Sequence, residues 1–175
     1  MCYFTTWSNN LQIEAARFKI SDIDPFLCTH AIFAFAKVNT DKLRLGKLEY
    51  DDDNGLAGSA AAGKFYDFTK LKNKNSKLTT MLSIGGASLS ESLHLVTETK
   101  ERRIIFAKNC RIFLRDRHFD GLDIDWEFPG VYRDKFTELL KVGSICTIDH
   151  FVQLYDLQVL FHFPIISYQP LIFTW

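Results

Sequence analysis

Through the first 141 residues, apolar runs alternate with amphipathic segments, and that alternation limits the fold more than any single motif. His30-Ala-Ile-Phe-Ala-Phe-Ala36 is an almost continuous apolar run, the pattern of a strand buried on both faces. Leu78–Ile84 reads as a second buried strand, ended by Gly85-Gly86, and Cys2–Thr5 and Phe119–Trp126 as two more. Between them the spacing predicts helices over Leu11–Ile20, Lys64–Leu71, Lys100–Arg117 and Arg133–Lys141. In the third of these, Ile105, Phe106, Cys110, Phe113 and Leu114 form one apolar stripe among basic residues. Residues 39–63 are polar, with Asp51–Gly55 reading as a turn and 55–63 as a small-residue loop. A β-α-β-α-β-α-β-α order calls for parallel strands joined by helical crossovers, in a doubly wound sheet or a (β/α)8 barrel.

Composition narrows the partners. The 175 residues carry 21 basic and 21 acidic side chains, so the chain lacks the electrostatic footprint of a nucleic-acid binder. It also lacks a basic amphipathic run suited to a membrane surface. At 47% hydrophobic and 14% aromatic it is too apolar for disorder and is expected to form about one domain. The charge is unevenly spread: every Lys and Arg lies before Val142, and residues 142–175 carry only Asp149 and Asp156. The chain therefore divides into 1–141 and a hydrophobic tail, 142–175, of different character. Leu157–Trp175 has no formal charge, but Gln158, His162, Pro164, Gln169 and Pro170 argue against a membrane span there. Four cysteines without a C-x-x-C pair suggest no zinc site. Met1 is followed at once by Cys2 and a strand-like run, so no signal peptide is visible. The expectation is a cytosolic protein or one whose true start has been lost.

Asp120-Gly-Leu-Asp-Ile-Asp-Trp-Glu127 carries the chemistry. Strand side chains alternate faces, so Asp123, Asp125 and Glu127 share one face at roughly 6.5 Å intervals. Leu122, Ile124 and Trp126 take the other and can pack beneath helices. Three carboxylates on a buried face are costly unless hydrogen-bonded or protonated. Their mutual repulsion raises some of their pKa values, leaving a protonated acid beside ionised ones. General acid cleavage of a glycosidic bond needs that arrangement. Glu127 comes last, nearest the C-terminal strand end where parallel barrels keep their active sites. The apolar partners at 122, 124 and 126 argue against a solvated acidic edge. A calcium loop is disfavoured because Phe128 stands where an EF-hand needs glycine and Pro129 follows; no metal is expected.

The octapeptide resembles the DGxDxDxE signature of glycoside hydrolase family 18, the chitinases and chitinase-like lectins. Cys2-Tyr-Phe-Thr-Thr-Trp7 resembles the family's first barrel strand, Cys28–Ala36 its second, Ser83-Ile-Gly-Gly86 its third and Phe119–Gly130 its catalytic fourth. The resemblance covers residues 1 to about 141. It implies an α/β fold of the (β/α)8 TIM-barrel type, truncated after about four β/α units, since such a barrel takes about 250 residues.

It also implies hydrolysis of β-1,4-linked N-acetylglucosamine polymers by substrate-assisted retention, an exception to the two-carboxylate scheme. Glu127 would protonate the glycosidic oxygen, Asp125 would orient the substrate's acetamido group, and Asp123 would share a proton with Asp125. No cofactor is implied. The partners would be chitin or N-acetylglucosamine oligosaccharides, with no nucleic acid or membrane, and the protein would be a monomer. Tyr3 and Phe35 resemble aromatics on the floor of the family's sugar cleft. Gly86 and Trp126 join them as candidate substrate contacts, although strand parity turns Trp126 toward the core. Cys2 and Cys28 match a pair that is disulfide-bonded in many secreted members, which points to an extracellular protein.

Three departures stand out. Ala87-Ser88 follows Gly86 where many members place a sugar-stacking Trp, and Phe128 replaces the usual Tyr after the acid. The family's later Tyr-Asp pair and cleft-floor Trp, from strands six and eight, have no counterpart. The expectation is a chain inactive by itself, with residues 142–175 arising from read-through or aberrant splicing. The alternative is a non-hydrolytic chitin-binding lectin, against which the retained Glu127 argues.

Overall fold

A computed structural model describes residues 1–46 and 63–145. The predicted turn at 51–55, most of the small-residue loop after it, Cys146 and the 157–175 segment lie outside the described residues. Four strands run parallel: β1 (Cys2–Thr5), β2 (His30–Asn39), β4 (Thr79–Gly85) and β5 (Gly121–Asp125), in the spatial order β1-β2-β4-β5. A short β3 (Arg44–Gly46) folds back antiparallel onto the end of β2. The helices are α1 (Gly63–Thr69), α2 (Glu91–Val96), α3 (Lys100–Asp116) and α4 (Arg133–Ile145). Consecutive parallel strands with helical crossovers are the repeating unit of a (β/α)8 barrel, and this is a partial one.

Two rungs of the sheet show how period-two alternation builds both the core and the site. Phe4, Phe33, Leu82 and Leu122 are in register across the four strands and all buried, facing the helices. Phe33 meets Phe65 and Phe68 of α1 edge-on, with ring centroids 4.9 and 5.4 Å apart, the geometry that ring quadrupoles favour. The next rung, Thr5, Ala34, Ser83 and Asp123, faces the opposite way. A bulge between Ala34 and Ala36 then inserts Phe35 as an extra residue. Ala36 thereby returns to the helix side beside Ile84 and Ile124.

The helices follow the apolar spacing with some corrections. α3 starts where Thr99 caps it, its hydroxyl accepting from the Arg102 N–H at 3.2 Å. It buries Phe106, Ala107, Cys110 and Leu114, whereas Ile105, assigned to its stripe, is exposed. The helix expected over Leu11–Ile20 does not form; two 3-10 turns, Glu14–Ala16 and Ile20–Asp22, stand in that stretch. α4 continues past Lys141 through Ile145, so the compositional break at Val142 falls inside a helix. Cys2 and Cys28 form a disulfide with Cα atoms 6.1 Å apart, tying the start of β1 to the approach to β2. No helix among the described residues is long and apolar enough to cross a membrane.

Candidate active site

The site lies at the C-terminal ends of β4 and β5. Asp123 is completely buried. One carboxylate oxygen accepts from the Ser83 hydroxyl at 2.6 Å and the Tyr3 hydroxyl at 3.1 Å. Its other oxygen, also buried, has no hydrogen-bond partner among the described residues. Burial pushes the Asp123 pKa up to about 6, against the downward pull of the two hydroxyls. Asp125, two rungs on and half-buried, is pushed up to about 6 as well. Burial is again the largest cause, followed by the charges of Glu127 and Asp123 and a side-chain hydrogen bond with Glu127. Glu127 lies beyond the strand end and is exposed. The three acids therefore run from the interior to solvent along one face, as their spacing predicts, and the inner two carry the raised affinity for protons.

Asp120, at the opposite end of the same motif, does not join them. Its carboxylate accepts from the Thr80 N–H at 2.8 Å and hydroxyl at 3.0 Å, and pairs with Lys72 at 2.7 Å.

The other sequence-predicted residues divide. Tyr3 reaches the site through its hydroxyl, and the residue stays 42% exposed. Phe35 is partly buried and stacks on Trp7, with centroids 6.1 Å apart and planes within 21°. Trp7 is 47% exposed; sequence reasoning uses it only as part of a strand motif, although a Trp just after a strand end is itself a signal. Gly86 contributes backbone: its N–H donates to the Asp125 carbonyl at 2.7 Å. A Cβ on Gly86 would meet the Phe35 ring at 2.9 Å, and one on Gly85 would collide with the Asp125 carbonyl. Gly85 and Gly86 also have positive φ, 105° and 75°, a conformation that side chains disfavour.

Trp126 is a correction. It is buried on the helix side against His94, Tyr132 and Phe136, with centroids 5.2, 6.3 and 5.5 Å away. Strand parity forces it there, so it makes no part of the carboxylate face. Among the described residues no three His, Cys, Asp or Glu side chains converge as a metal site requires.

A row of graded carboxylates at the mouth of parallel strands suits acid–base chemistry on a bond held against Glu127. Sequence comparison decides the family: the profile of Glycosyl hydrolases family 18 matches residues 1–146. This chain belongs to glycosyl hydrolase family 18. It is 38% identical over 148 residues to mouse chitotriosidase-1, covering 81% of this chain and 29% of that protein. It is 35% identical over 130 residues to human chitinase-3-like protein 2, covering 74% and 30%. The chain thus spans about 30% of the length of these relatives. Among solved structures, human YKL-39 superposes with a TM-score of 0.69 at 32% identity, over 82% of this chain and 37% of that one. It is described as a pseudo-chitinase with retained chitooligosaccharide binding. The Ostrinia furnacalis Group IV chitinase in complex with allosamidin gives 0.68 at 33% identity, over 80% and 38%. The family match runs past residue 141, where the motif resemblance ends, to the end of α4.

Proposed function

We propose that the chain carries the acid–base half of a chitinase-type cleft, acting on β-1,4-linked N-acetylglucosamine polymers by substrate-assisted retention. The observation that carries the reading is the inward-to-outward row Asp123, Asp125, Glu127, with Asp125 hydrogen-bonded to Glu127. Glu127 donates its proton to the glycosidic oxygen as the bond to the anomeric carbon breaks. The carbonyl oxygen of the substrate's own acetamido group closes on that carbon, giving an oxazolinium ion. Asp125 accepts from the acetamide N–H, and its negative charge offsets the positive one that develops. Asp123 shares a proton with Asp125, an exchange suited to two carboxyls with matched, raised pKa values. Glu127, now a carboxylate, takes a proton from the water that opens the ring. Tyr3 and Phe35 line the sugar floor, and Gly86 lets the main chain approach it. An extracellular location fits the Cys2–Cys28 disulfide, because such bonds persist in oxidising compartments.

Binding without turnover is the second reading, favoured by the likeness to a pseudo-chitinase that keeps chitooligosaccharide binding and by Ala87-Ser88 standing in the usual Trp position. A chromogenic chitobioside assay and a chitin pull-down separate the two. Turnover that falls about 10²–10⁴-fold in Glu127→Gln, the usual contribution of a general acid, supports hydrolysis. Chitin retention without turnover supports the second reading. Neither retention nor turnover overturns both.

A further inference from the structure

Ser90 is 5% exposed and lies outside the row of acids, yet the hydrogen bonds of its hydroxyl reach toward them. Its Oγ donates to the Gly86 carbonyl at 2.9 Å and accepts the Glu127 N–H at 2.9 Å. The Gly86 N–H in turn donates to the Asp125 carbonyl at 2.7 Å, and the Gly86 carbonyl also accepts the Leu89 and Ser90 N–H groups at 3.2 and 3.1 Å. The peptide units on both sides of Trp126 are thereby clamped to the 86–90 loop: Asp125 by Gly86, Glu127 by Ser90. Glu127 follows the end of β5, so the sheet ladder has already ended where the Ser90 contact takes hold. Trp126, packed among His94, Tyr132 and Phe136, anchors the opposite side of the same stretch.

We propose that Ser90 is the positioning residue of this site: its hydroxyl fixes the Glu127 backbone to the end of β4, so that the Glu127 carboxyl stays against Asp125. The proposal rests on the reading of Glu127 as the acid, and it places control of that acid in the loop whose usual aromatic is absent here. Removing the hydroxyl leaves the Glu127 N–H without its acceptor and frees the residue to swing outward. Glu127 is one of the groups that raise the Asp125 midpoint, with Asp123 behind it and the neutral Tyr3 and Ser83 hydroxyls beyond. A displaced Glu127 therefore lets that midpoint fall.

Carboxyl carbon-13 NMR titration of the full 175-residue chain reads this without substrate, so the role of Ser90 is tested even in a chain that hydrolyses nothing. Glu127→Gln sets the direction and size of the shift expected when the neighbouring charge is lost. Ser90→Ala is expected to lower the Asp125 midpoint in that direction, and Ser90→Thr, which keeps the hydroxyl, to restore the wild-type value. An unchanged midpoint in Ser90→Ala, whatever its melting temperature, overturns the proposal, as does an equal shift in Ser90→Thr. Should Ser90→Ala fail to fold, amide exchange of the wild-type chain decides. The Glu127 N–H is expected to exchange roughly 100-fold more slowly than an open amide, and exchange at the open rate overturns the proposal.

Discussion

Asp120 and Asp123 sit three residues apart in one motif, and the protein treats them in opposite ways. Asp120, just before β5, has a lysine partner and two donors from Thr80, and stays partly in contact with water. Asp123 is sealed from water with two hydroxyls and with one oxygen unpaired among the described residues. The first arrangement joins β4 to β5. The second works against stability and keeps a proton exchangeable near neutrality. A motif alone does not give a carboxylate its role; its end of the strand decides.

The largest test of that contrast is a pH series. The Asp123 pKa is raised from 3.8 to about 6 in the folded chain, so the folded state holds the proton more tightly than the unfolded one. Its contribution is fully present below about pH 4 and is lost as pH rises through about 6, a swing on the order of 3 kcal/mol. Asp123→Asn is expected to remove most of that swing and to be more stable than the wild type at pH 8. Urea midpoints at about pH 3 and 8, on either side of that transition, measure it, and a variant weaker than wild type at pH 8 would break the comparison.

Asp120→Ala should do the reverse. It strands the Thr80 N–H and leaves the Lys72 ammonium only the His118 carbonyl at 2.7 Å, costing about 2 kcal/mol. A cost below the error of the urea fit would mean that Asp120 does not hold the two strands together.

The smallest effect belongs to Lys72→Met. Lys72 and Asp120 keep 25% and 29% of their side-chain surface in water, and such pairs contribute about 0.2–1 kcal/mol. Thermal melts at low and high salt should show a small loss at low salt that shrinks toward zero in about 1 M salt.

The strands and the face of the acids were legible because period two is a strong signal wherever one side is buried. β2 and β4 fall on the apolar runs, and the alternation of 122 through 127 separates Trp126 from its acidic neighbours. α3 matches to within one residue because Thr99 stands at its start and Phe106, Cys110 and Leu114 keep helical spacing. The segment at Leu11–Ile20 misled because its apolar residues do not share one buried face: Leu11 and Ile13 are exposed, and only Phe18 and Ile20 pack on the core. Side chain-to-backbone bonds hold it instead, Arg17 to the Leu11 carbonyl and Ser8 to the Thr5 and Phe18 carbonyls. β3 and α2 are three and six residues long, too short for periodicity to register. β3 is fastened by bonds no pattern announces, Asn109 of α3 donating to the Leu43 carbonyl at 2.9 Å. Ser90 was invisible for a related reason: it acts on a main-chain N–H, and a serine in a polar stretch looks like any other.

The close approach of the Phe35 ring to Gly86 has a consequence for the proposed sugar floor. With no Cβ at position 86, the ring occupies the space a side chain would need and lies nearly parallel to Trp7. A single added methyl would force that ring to lift and would tilt the aromatic pavement with it. In the proposed cleft the height of the floor is thus set by an atom the chain leaves out, and substitution there would move the rings without touching an acid.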